Sequence, residues 1–117
     1  MNVRELVLAS LNPAPVAVEI KGNPELGVPG WGTVYVRVLT AGEVTKAQEE
    51  NTKARGGDKP TVARFVCRTL CNEDGTRVFD VNKNEDVTNV MDLPWLSVME
   101  FVREANRVNG VETAGNP

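Results

Sequence analysis

The stretch from Val62 to Gly110 constrains the fold more than any other part of the chain. A mixed apolar and polar segment, Val62 to Cys71, runs into Asn72-Glu73-Asp74-Gly75, whose Asp-Gly pair is a strong hairpin signal. The chain then returns through Thr76 to Val81 and finishes in an amphipathic helix closed by Asn109-Gly110, where glycine favours a left-handed cap. Strands followed by a long helix predict an α+β fold.

The type and register of the Val62 to Cys71 segment are ambiguous from periodicity. Its apolar residues also fit a helical template, because they recur at i, i+3, i+4, i+7 and i+8. We favour a strand, since β-branched residues are frequent here and Thr76 to Val81 needs a partner. The hairpin register stays open, because a two-residue turn and a three-residue turn with a glycine bulge differ by one residue in pairing.

Two further strands are predicted closer to the N-terminus. Val16 to Ile20 alternates with a period of two, and Trp31 to Thr40 does the same with valines on one face. The segment between them, Lys21 to Gly30, contains three glycines and two prolines and is expected to be a long hairpin loop. The predicted architecture is therefore a small antiparallel sheet of two hairpins, with short helices and a longer C-terminal helix.

Capping-box spacing, in which Asn or Thr is followed three residues later by Glu, predicts two short helices. The first follows Asn2 and ends at Asn12-Pro13, and the second follows Thr40 and ends near Asn51. The polar segment Asn51 to Pro60 is expected to be a mobile loop. The apolar side of the first helix consists of Leu6, Val7 and Leu11.

The C-terminal region predicts a short turn capped by Asn82 and then the longest helix, opened by Asp92 and Pro94. Its polar side offers Glu-to-Arg pairs three residues apart. Residues 1–110 are taken as one domain and residues 111–117 as a disordered tail. The apolar side of the final helix consists of Leu96, Val98, Met99, Phe101, Val102, Ala105 and Val108.

Composition points to binding instead of catalysis. The chain has no histidine, two cysteines and no recognisable cluster of catalytic carboxylates, so the usual acids, bases and metal ligands are scarce. A net charge of -3 argues against a general electrostatic grip on nucleic acid. No apolar run approaches the ~20 residues of a membrane span, and the N-terminus lacks the order of a signal peptide. We expect a cytoplasmic, non-enzymatic protein without cofactor, metal, nucleic acid or membrane partner.

Cys67 and Cys71 are predicted to be buried free thiols. On a strand they would lie ~13 Å apart, too far for a disulfide. Two thiolates without histidine do not complete a structural zinc site within one chain. Free cysteine otherwise behaves as a small apolar residue.

Arg64 and Arg68 would share one face of the predicted strand. With Lys53, Arg55 and Lys59 they would make a basic edge for an acidic partner. A plain solvated face is the favoured interpretation, since charged surface residues are common.

The tryptophans are the main candidates for contact with a partner protein. Trp95 stands beside Met91 and Leu93 at the start of the last helix, and tryptophan is enriched at binding hot spots. Packing in the core is the favoured interpretation, and Trp31 poses the same choice. The full set of candidates is Trp95, Met99, Phe101 and Val102 on the last helix, with Trp31 and Tyr35 on the sheet.

Three segments of the sequence carry a family resemblance. They are Trp31 to Arg37 leading to Gly42-Glu43, Leu70 to Gly75 leading to Phe79, and the ending Val108-Asn109-Gly110. In order and spacing, over about residues 2–110, they resemble the tail assembly chaperones of long-tailed, siphovirus-type bacteriophages and prophages. This chain departs from the common pattern in its longer Lys21 to Gly30 loop and in Asn72, where aspartate is usual.

The resemblance implies a non-enzymatic factor that coats the tape measure protein, keeps it soluble and helps recruit major tail tube protein subunits. Such a protein acts in the host bacterial cytoplasm and is not expected in the mature virion. The family often makes a second, longer product by translational frameshift. The alternative hypothesis is a structural tail or head-tail connector protein that is retained in the virion and uses its β edges to form a ring. A third is an enzyme with convergent carboxylates or a reactive Cys71.

Overall fold

The computed structural model describes residues 2–53 and 60–110. This part of the chain has a mixed α+β architecture with a three-stranded antiparallel sheet, which confirms the predicted fold class. The predicted loop falls mostly, and the predicted tail at residues 111–117 entirely, outside the described residues. The elements are α1 (Val3–Leu8), β1 (Val16–Ile20), a 3-10 turn (Pro24–Leu26), β2 (Gly32–Val36), α2 (Ala41–Lys53), α3 (Thr61–Thr69), β3 (Leu70–Cys71), α4 (Asn84–Met91) and α5 (Trp95–Asn109).

The sheet has the order β1-β2-β3, with both neighbouring pairs antiparallel. β1 and β2 form the predicted hairpin, paired from Val16↔Val36 to Ile20↔Gly32. β2 is shorter than the predicted strand, because both of its partners begin at this position: Val36 pairs with Val16, the first residue of β1, and with Leu70, the first residue of β3. The N–H of Arg37 donates to the Thr69 carbonyl oxygen at 2.8 Å, outside the paired strands.

The prediction of a strand over Val62 to Cys71 is wrong, since α3 occupies most of this segment and only Leu70–Cys71 is extended. A helix places its small and apolar side chains against α4 and α5. The Thr69 hydroxyl donates to the Phe65 carbonyl oxygen at 2.7 Å, the i−4 bond by which threonine is accommodated in a helix. Tertiary packing has outweighed β propensity here. The buried residues of α3 are Ala63, Val66, Cys67, Arg68 and Thr69.

The predicted strand from Thr76 to Val81 is also absent among the described residues, where one bridge, Cys71↔Arg77, replaces the second hairpin. β3 has only two residues because α3 takes up the rest, so little edge is left to pair. The turn itself is present. The N–H of Asn72 donates to the Thr76 carbonyl oxygen at 2.8 Å, and Glu73 to Gly75 lie between them. The structure therefore has the three-residue alternative.

Two predicted helix starts are corrected. Asn82 does not cap α4, because the helix begins at Asn84, its N-cap residue is Lys83, and no side chain caps it. Asp92 ends α4 instead of opening α5, whose N-cap is Pro94. At the other end of α5 the predicted glycine cap is confirmed, since Gly110 has φ 67°.

The hydrophobic core lies between the sheet and the helices, with α5 packed on β1, β2 and α3. Val18 and Ile20 of β1 point into it, as their period of two predicts. Phe101 is the largest fully buried side chain. The prediction that Phe101 contacts a partner at the surface is therefore wrong, because its side chain belongs to the core.

Hydrogen bonds tie the start of α5 to the loop between β1 and β2. The Glu100 carboxylate accepts the N–H groups of Lys21 and Gly22, each at 3.0 Å, and the Ser97 hydroxyl donates to the Pro29 carbonyl oxygen at 3.2 Å. The two ends of this loop approach closely: a Cβ on Gly22 would lie 2.6 Å from backbone atoms of Val28, Pro29 and Gly30, so only glycine fits.

The end of α5 holds the opposite end of the hairpin. Asn109 Oδ1 accepts the N–H of Leu39 at 2.7 Å, and its Nδ2 donates to the Arg37 carbonyl oxygen at 3.2 Å. Of the predicted Glu-to-Arg pairs, Glu104–Arg107 is present at 2.7 Å. α5 thus extends along the β1–β2 hairpin from one end to the other, and its bonds at both ends fix its position on the sheet.

α1 lies off the body of the protein, with none of its residues buried. Its N-cap is as predicted, because Asn2 Oδ1 accepts the N–H of Glu5 at 2.8 Å, but the helix ends at Leu8, earlier than Asn12. The radius of gyration is 15.4 Å, larger than the ~13 Å of a compact domain of this length. The longest extent of the molecule is 53 Å.

Candidate protein-binding surface

An apolar groove of about 390 Å³ lies where the start of α3, the end of α4 and the start of α5 meet. We call it the α3–α5 groove. The turn between α4 and α5 brings Met91 and Trp95 to the same rim, opposite the first turn of α3. Its lining residues are Pro60, Thr61, Val62, Ala63, Val90, Met91, Leu93, Trp95 and Val98.

The rim of the groove exposes large apolar side chains. Trp95 is 65% exposed and Met91 59% exposed, so the interpretation of Trp95 as a core residue is wrong. The reason is its place on the helix: the buried residues of α5 begin at Ser97 and Val98, and Trp95 projects to one side of them. Leu96, beside Trp95, is exposed as well.

The groove has the chemistry of a surface that accepts an apolar partner. None of its lining side chains is charged, and Thr61 alone carries a hydroxyl. A small-molecule site normally adds several placed polar groups that orient the ligand, and the lining side chains offer only that hydroxyl and the indole N–H of Trp95. The apolar stripe of an amphipathic helix makes no such demand, because its fit depends on the spacing of apolar side chains.

Behind the groove, α3 is fixed to α2 by a cluster of two arginines around Glu50. Arg64 Nη2 lies 3.0 Å from Glu50 Oε2, and Arg68 binds the other carboxylate oxygen. Arg64 also donates to the Val81 carbonyl oxygen at 3.3 Å. These contacts hold the helix that supplies one wall of the groove.

The same cluster removes Arg64 and Arg68 from the predicted solvated face, since both side chains are largely buried. Because Glu50 binds both arginines, they do not form a free basic edge for an acidic partner. Arg55 and Lys59 of that predicted edge lie outside the described residues, as does the side chain of Lys53. Burial by itself raises the pKa of Glu50, but hydrogen bonds and positive charge from the arginines lower the pKa below its ordinary value.

A second charged cluster joins the start of α2 to β2. Arg37 binds Glu43 with two nitrogen atoms, at 2.8 and 2.9 Å, and Arg77 approaches at 3.3 Å. The predicted capping box is confirmed, because Glu43 and Thr40 each accept the other's N–H. Burial raises the pKa of Glu43, yet the Arg37 and Thr40 contacts bring the pKa below its usual value.

Trp31 and Tyr35 lie on a different surface from Trp95. They line a shallow apolar depression of about 340 Å³ over β2 and β3, together with Val78 and Phe79. Trp31 is half-buried and packs on Phe101, with ring centroids 6.0 Å apart. Of the predicted contact residues, Trp95 therefore lies on one surface, and Trp31 and Tyr35 lie on another.

Met99 and Val102 are half-buried on α5 and line neither surface. They stand four and seven residues after Trp95, which places all three on one side of the helix. They thus continue the apolar side of α5 beyond the α3–α5 groove.

Cys67 and Cys71 are buried free thiols, as predicted. Burial raises the pKa of both, which disfavours the nucleophilic thiolate. Among residues 2–53 and 60–110, no three acidic or cysteine side chains are grouped as metal ligands. No helix in the same residues has the length and apolarity to span a membrane.

Comparison with family models, curated proteins and solved structures gave no match. The resemblance to tail assembly chaperones stays a prediction.

The sequence interpretation missed the groove because it assigned Val62 to a strand. Val62 and Ala63 form one wall only when α3 is helical. A signal was present: Pro60 precedes Thr61 and Val62, and proline is common just before or within the first turn of a helix. On the other wall, Met91, Leu93 and Trp95 are close in sequence, and the structure shows that they line one groove with Trp95 exposed.

Proposed function

We propose that this protein is a tail assembly chaperone of a long-tailed bacteriophage or prophage. In this proposal it binds apolar-striped helical segments of the tape measure protein and keeps that long protein soluble during tail assembly. It also helps to recruit major tail tube protein subunits and leaves the completed tail. No residue is assigned a catalytic role.

The observation that carries the proposal is the exposed Trp95 beside an uncharged groove. Covering an exposed apolar patch lowers the free energy, and tryptophan is the side chain most enriched at binding hot spots. The groove offers one short contact instead of an extended interface. A contact of that size is weak and readily displaced, which suits a chaperone that binds many stretches of one helix and then dissociates.

The second surface supports a role in bringing two proteins together. The depression around Trp31 and Tyr35 lies over the sheet and shares no lining residue with the α3–α5 groove. One partner can therefore occupy the groove while another contacts the sheet. We assign the groove to the tape measure protein and the sheet surface to the tail tube protein.

The test is co-expression with the tape measure protein, taken as the long coiled-coil-rich product encoded downstream. The groove variant is Val62→Asp, and the matched control is Val16→Asp, because each valine is 38% exposed. Val62 is the second residue of α3, where an acidic side chain favours the helix. Loss of binding by Val62→Asp is therefore not explained by unfolding of α3.

We expect Val62→Asp and Trp95→Ala to leave the tape measure protein insoluble, while Val16→Asp keeps it soluble. The soluble fraction of the tape measure protein is measured on gels, with circular dichroism to verify that each variant is folded. Equal solubility with all three variants would show that the groove does not bind this partner.

A second candidate is a structural tail or head-tail connector protein. The observation in its favour is β1, an edge strand whose outer side has no partner among the described residues. Such an edge can pair with a strand of another subunit in a ring. Mass spectrometry of purified particles separates the two functions: stoichiometric recovery in mature tails favours the structural protein, and absence from tails with abundance in lysate favours the chaperone.

A further inference from the structure

The N-terminal segment, residues 2–11, is an apolar arm that packs against no part of the described core. Its large apolar side chains are between 45% and 74% exposed. Together they present on the order of a few hundred Å² of apolar surface, which is as large as a functional patch on a typical monomer. These side chains are Val3, Leu6, Val7, Leu8 and Leu11.

The arm has the pattern of a helix that needs a partner. Val3, Leu6 and Val7 follow i, i+3, i+4 spacing and share one side of α1, whereas Glu5 lies on the opposite side. A helix of six residues is much shorter than the ~12–15 residues at which an isolated helix becomes marginal in water. Packing of the apolar side is therefore what would stabilise it.

The arm and the α3–α5 groove lie at opposite ends of the molecule. α5 starts at the groove and runs ~22 Å to Asn109, which binds Arg37 at the far end of the sheet. The arm joins the sheet at that far end, because Val16 pairs with Val36. A short apolar helix projects from one end, and the apolar α3–α5 groove opens at the other.

We propose that the arm of one copy docks in the α3–α5 groove of a second copy, with Val3, Leu6 and Val7 facing the groove. Neither the groove lining nor this side of the arm carries a charged side chain, so docking buries no charge. Glu5 on the opposite side stays in water. The second copy is the occupant because every copy carries both complementary parts.

The symmetry of this contact follows from its geometry. The two surfaces differ, so the contact is heterologous, and each bound copy still offers a free arm at one end and a free groove at the other. Such contacts extend into an open head-to-tail chain unless the rotation between copies closes a ring. The total area buried, below ~1,200 Å² for an arm this short, places the contact among weak and reversible interfaces.

This inference goes beyond the proposed function and does not require a tape measure protein. It does use the same groove, so a tape measure helix would compete with the arm. Self-association and client binding are therefore measured separately, and either can fail while the other stands.

The test is sedimentation equilibrium of the full chain over a wide range of concentrations. The arm variant is Leu6→Asp, and its matched control is Leu8→Asp, since Leu8 lies away from the Val3, Leu6 and Val7 side. The groove variant is Val62→Asp. None of the three positions is in the core, and circular dichroism verifies the fold of each variant.

We expect the average mass of the wild type to rise with concentration beyond that of a dimer or towards that of a closed ring. Leu6→Asp and Val62→Asp should each weaken association about tenfold or more, because a carboxylate enters an apolar contact, and Leu8→Asp should not. A mixture of Leu6→Asp and Val62→Asp should form a one-to-one dimer, since one copy supplies an intact groove and the other an intact arm.

Three results would overturn the proposal. A wild type that stays monomeric at all concentrations would show that the arm binds no second copy, whether it is free or docks on its own chain. Undiminished association of Val62→Asp would place the interface elsewhere, for example between two arms. Failure of the two variants to pair when mixed would exclude a contact between arm and groove.

Discussion

Replacing Glu50 with alanine should destabilise the fold, because it leaves Arg68 buried without its carboxylate. The Arg68 side chain is 9% exposed and that of Glu50 is 19% exposed. Removing one partner of a fully buried ion pair costs ~3–5 kcal/mol. Since this pair retains some contact with water and Arg64 keeps its bond to Val81, we expect a loss of about 2–3 kcal/mol.

The assay is urea unfolding at neutral pH, with Glu49→Ala as the matched control. Glu49 is the neighbouring residue on the same helix and is exposed, so its replacement should change the free energy of unfolding by less than ~0.5 kcal/mol. Thermal melts should show a fall of about 8–12 °C for Glu50→Ala, at roughly 4 °C per kcal/mol for a chain of this length. Equal stability of the two variants would refute the reasoning.

Two further measurements separate the ion pair from loss of packing. Adding Arg68→Met to Glu50→Ala should recover part of the lost stability, because the uncompensated charge is gone. The contribution of Glu50 should also depend on pH. Its pKa is lower in the folded protein than the ordinary value of 4.5, so the stabilisation is complete above that pH and is lost as the pH falls through the folded pKa. A difference between wild type and Glu50→Ala that persists unchanged in acid would contradict this.

Two other predictions concern α5 and the thiols. Glu100→Gln should destabilise the protein by about 1–2 kcal/mol, since it weakens two charge-assisted bonds to the β1–β2 loop. The control Glu104→Gln, which affects an ion pair at the surface, should cost less than ~0.5 kcal/mol. Urea unfolding measures both losses, and equal losses would contradict the assigned role of Glu100. Cys67 and Cys71 should react with a thiol reagent only on unfolding, because both are buried and burial raises the pKa of each thiol. Labelling is followed by absorbance, and fast labelling of the native protein would show that a thiol is accessible.

The parts of the fold that could be predicted from the sequence have strong local signals. β1 and β2 follow a period of two in β-branched residues, and α5 combines a helical apolar pattern with a glycine cap at Gly110. α3 could not be assigned in this way, because its apolar residues fit both periods. What distinguishes the two structures is tertiary packing, because a helix places Ala63, Val66 and Cys67 against α4 and α5.

The site was predictable only in part for a related reason. The sequence makes Trp95 a candidate anchor, but its exposure depends on how α5 is rotated relative to the core. Distant contacts, among them the bonds of Glu100 and Ser97 to the β1–β2 loop, hold that rotation. Phe101 is an aromatic residue of the same helix as Trp95, yet it lies on the buried side. Sequence alone ranks such residues together, whereas the rotation of one helix separates them.

The attachment of α5 to both ends of the β1–β2 hairpin has a consequence for synthesis of the chain. The bonds from Glu100 to Lys21 and from Asn109 to Leu39 join residues that are 79 and 70 positions apart. Local helices form quickly, whereas contacts this distant form late. On the ribosome α5 therefore cannot complete its bonds to the hairpin until Asn109 has left the exit tunnel. Any polypeptide fused beyond Gly110 would keep the domain attached to the ribosome while these bonds form. The domain could therefore finish folding before the chain is released.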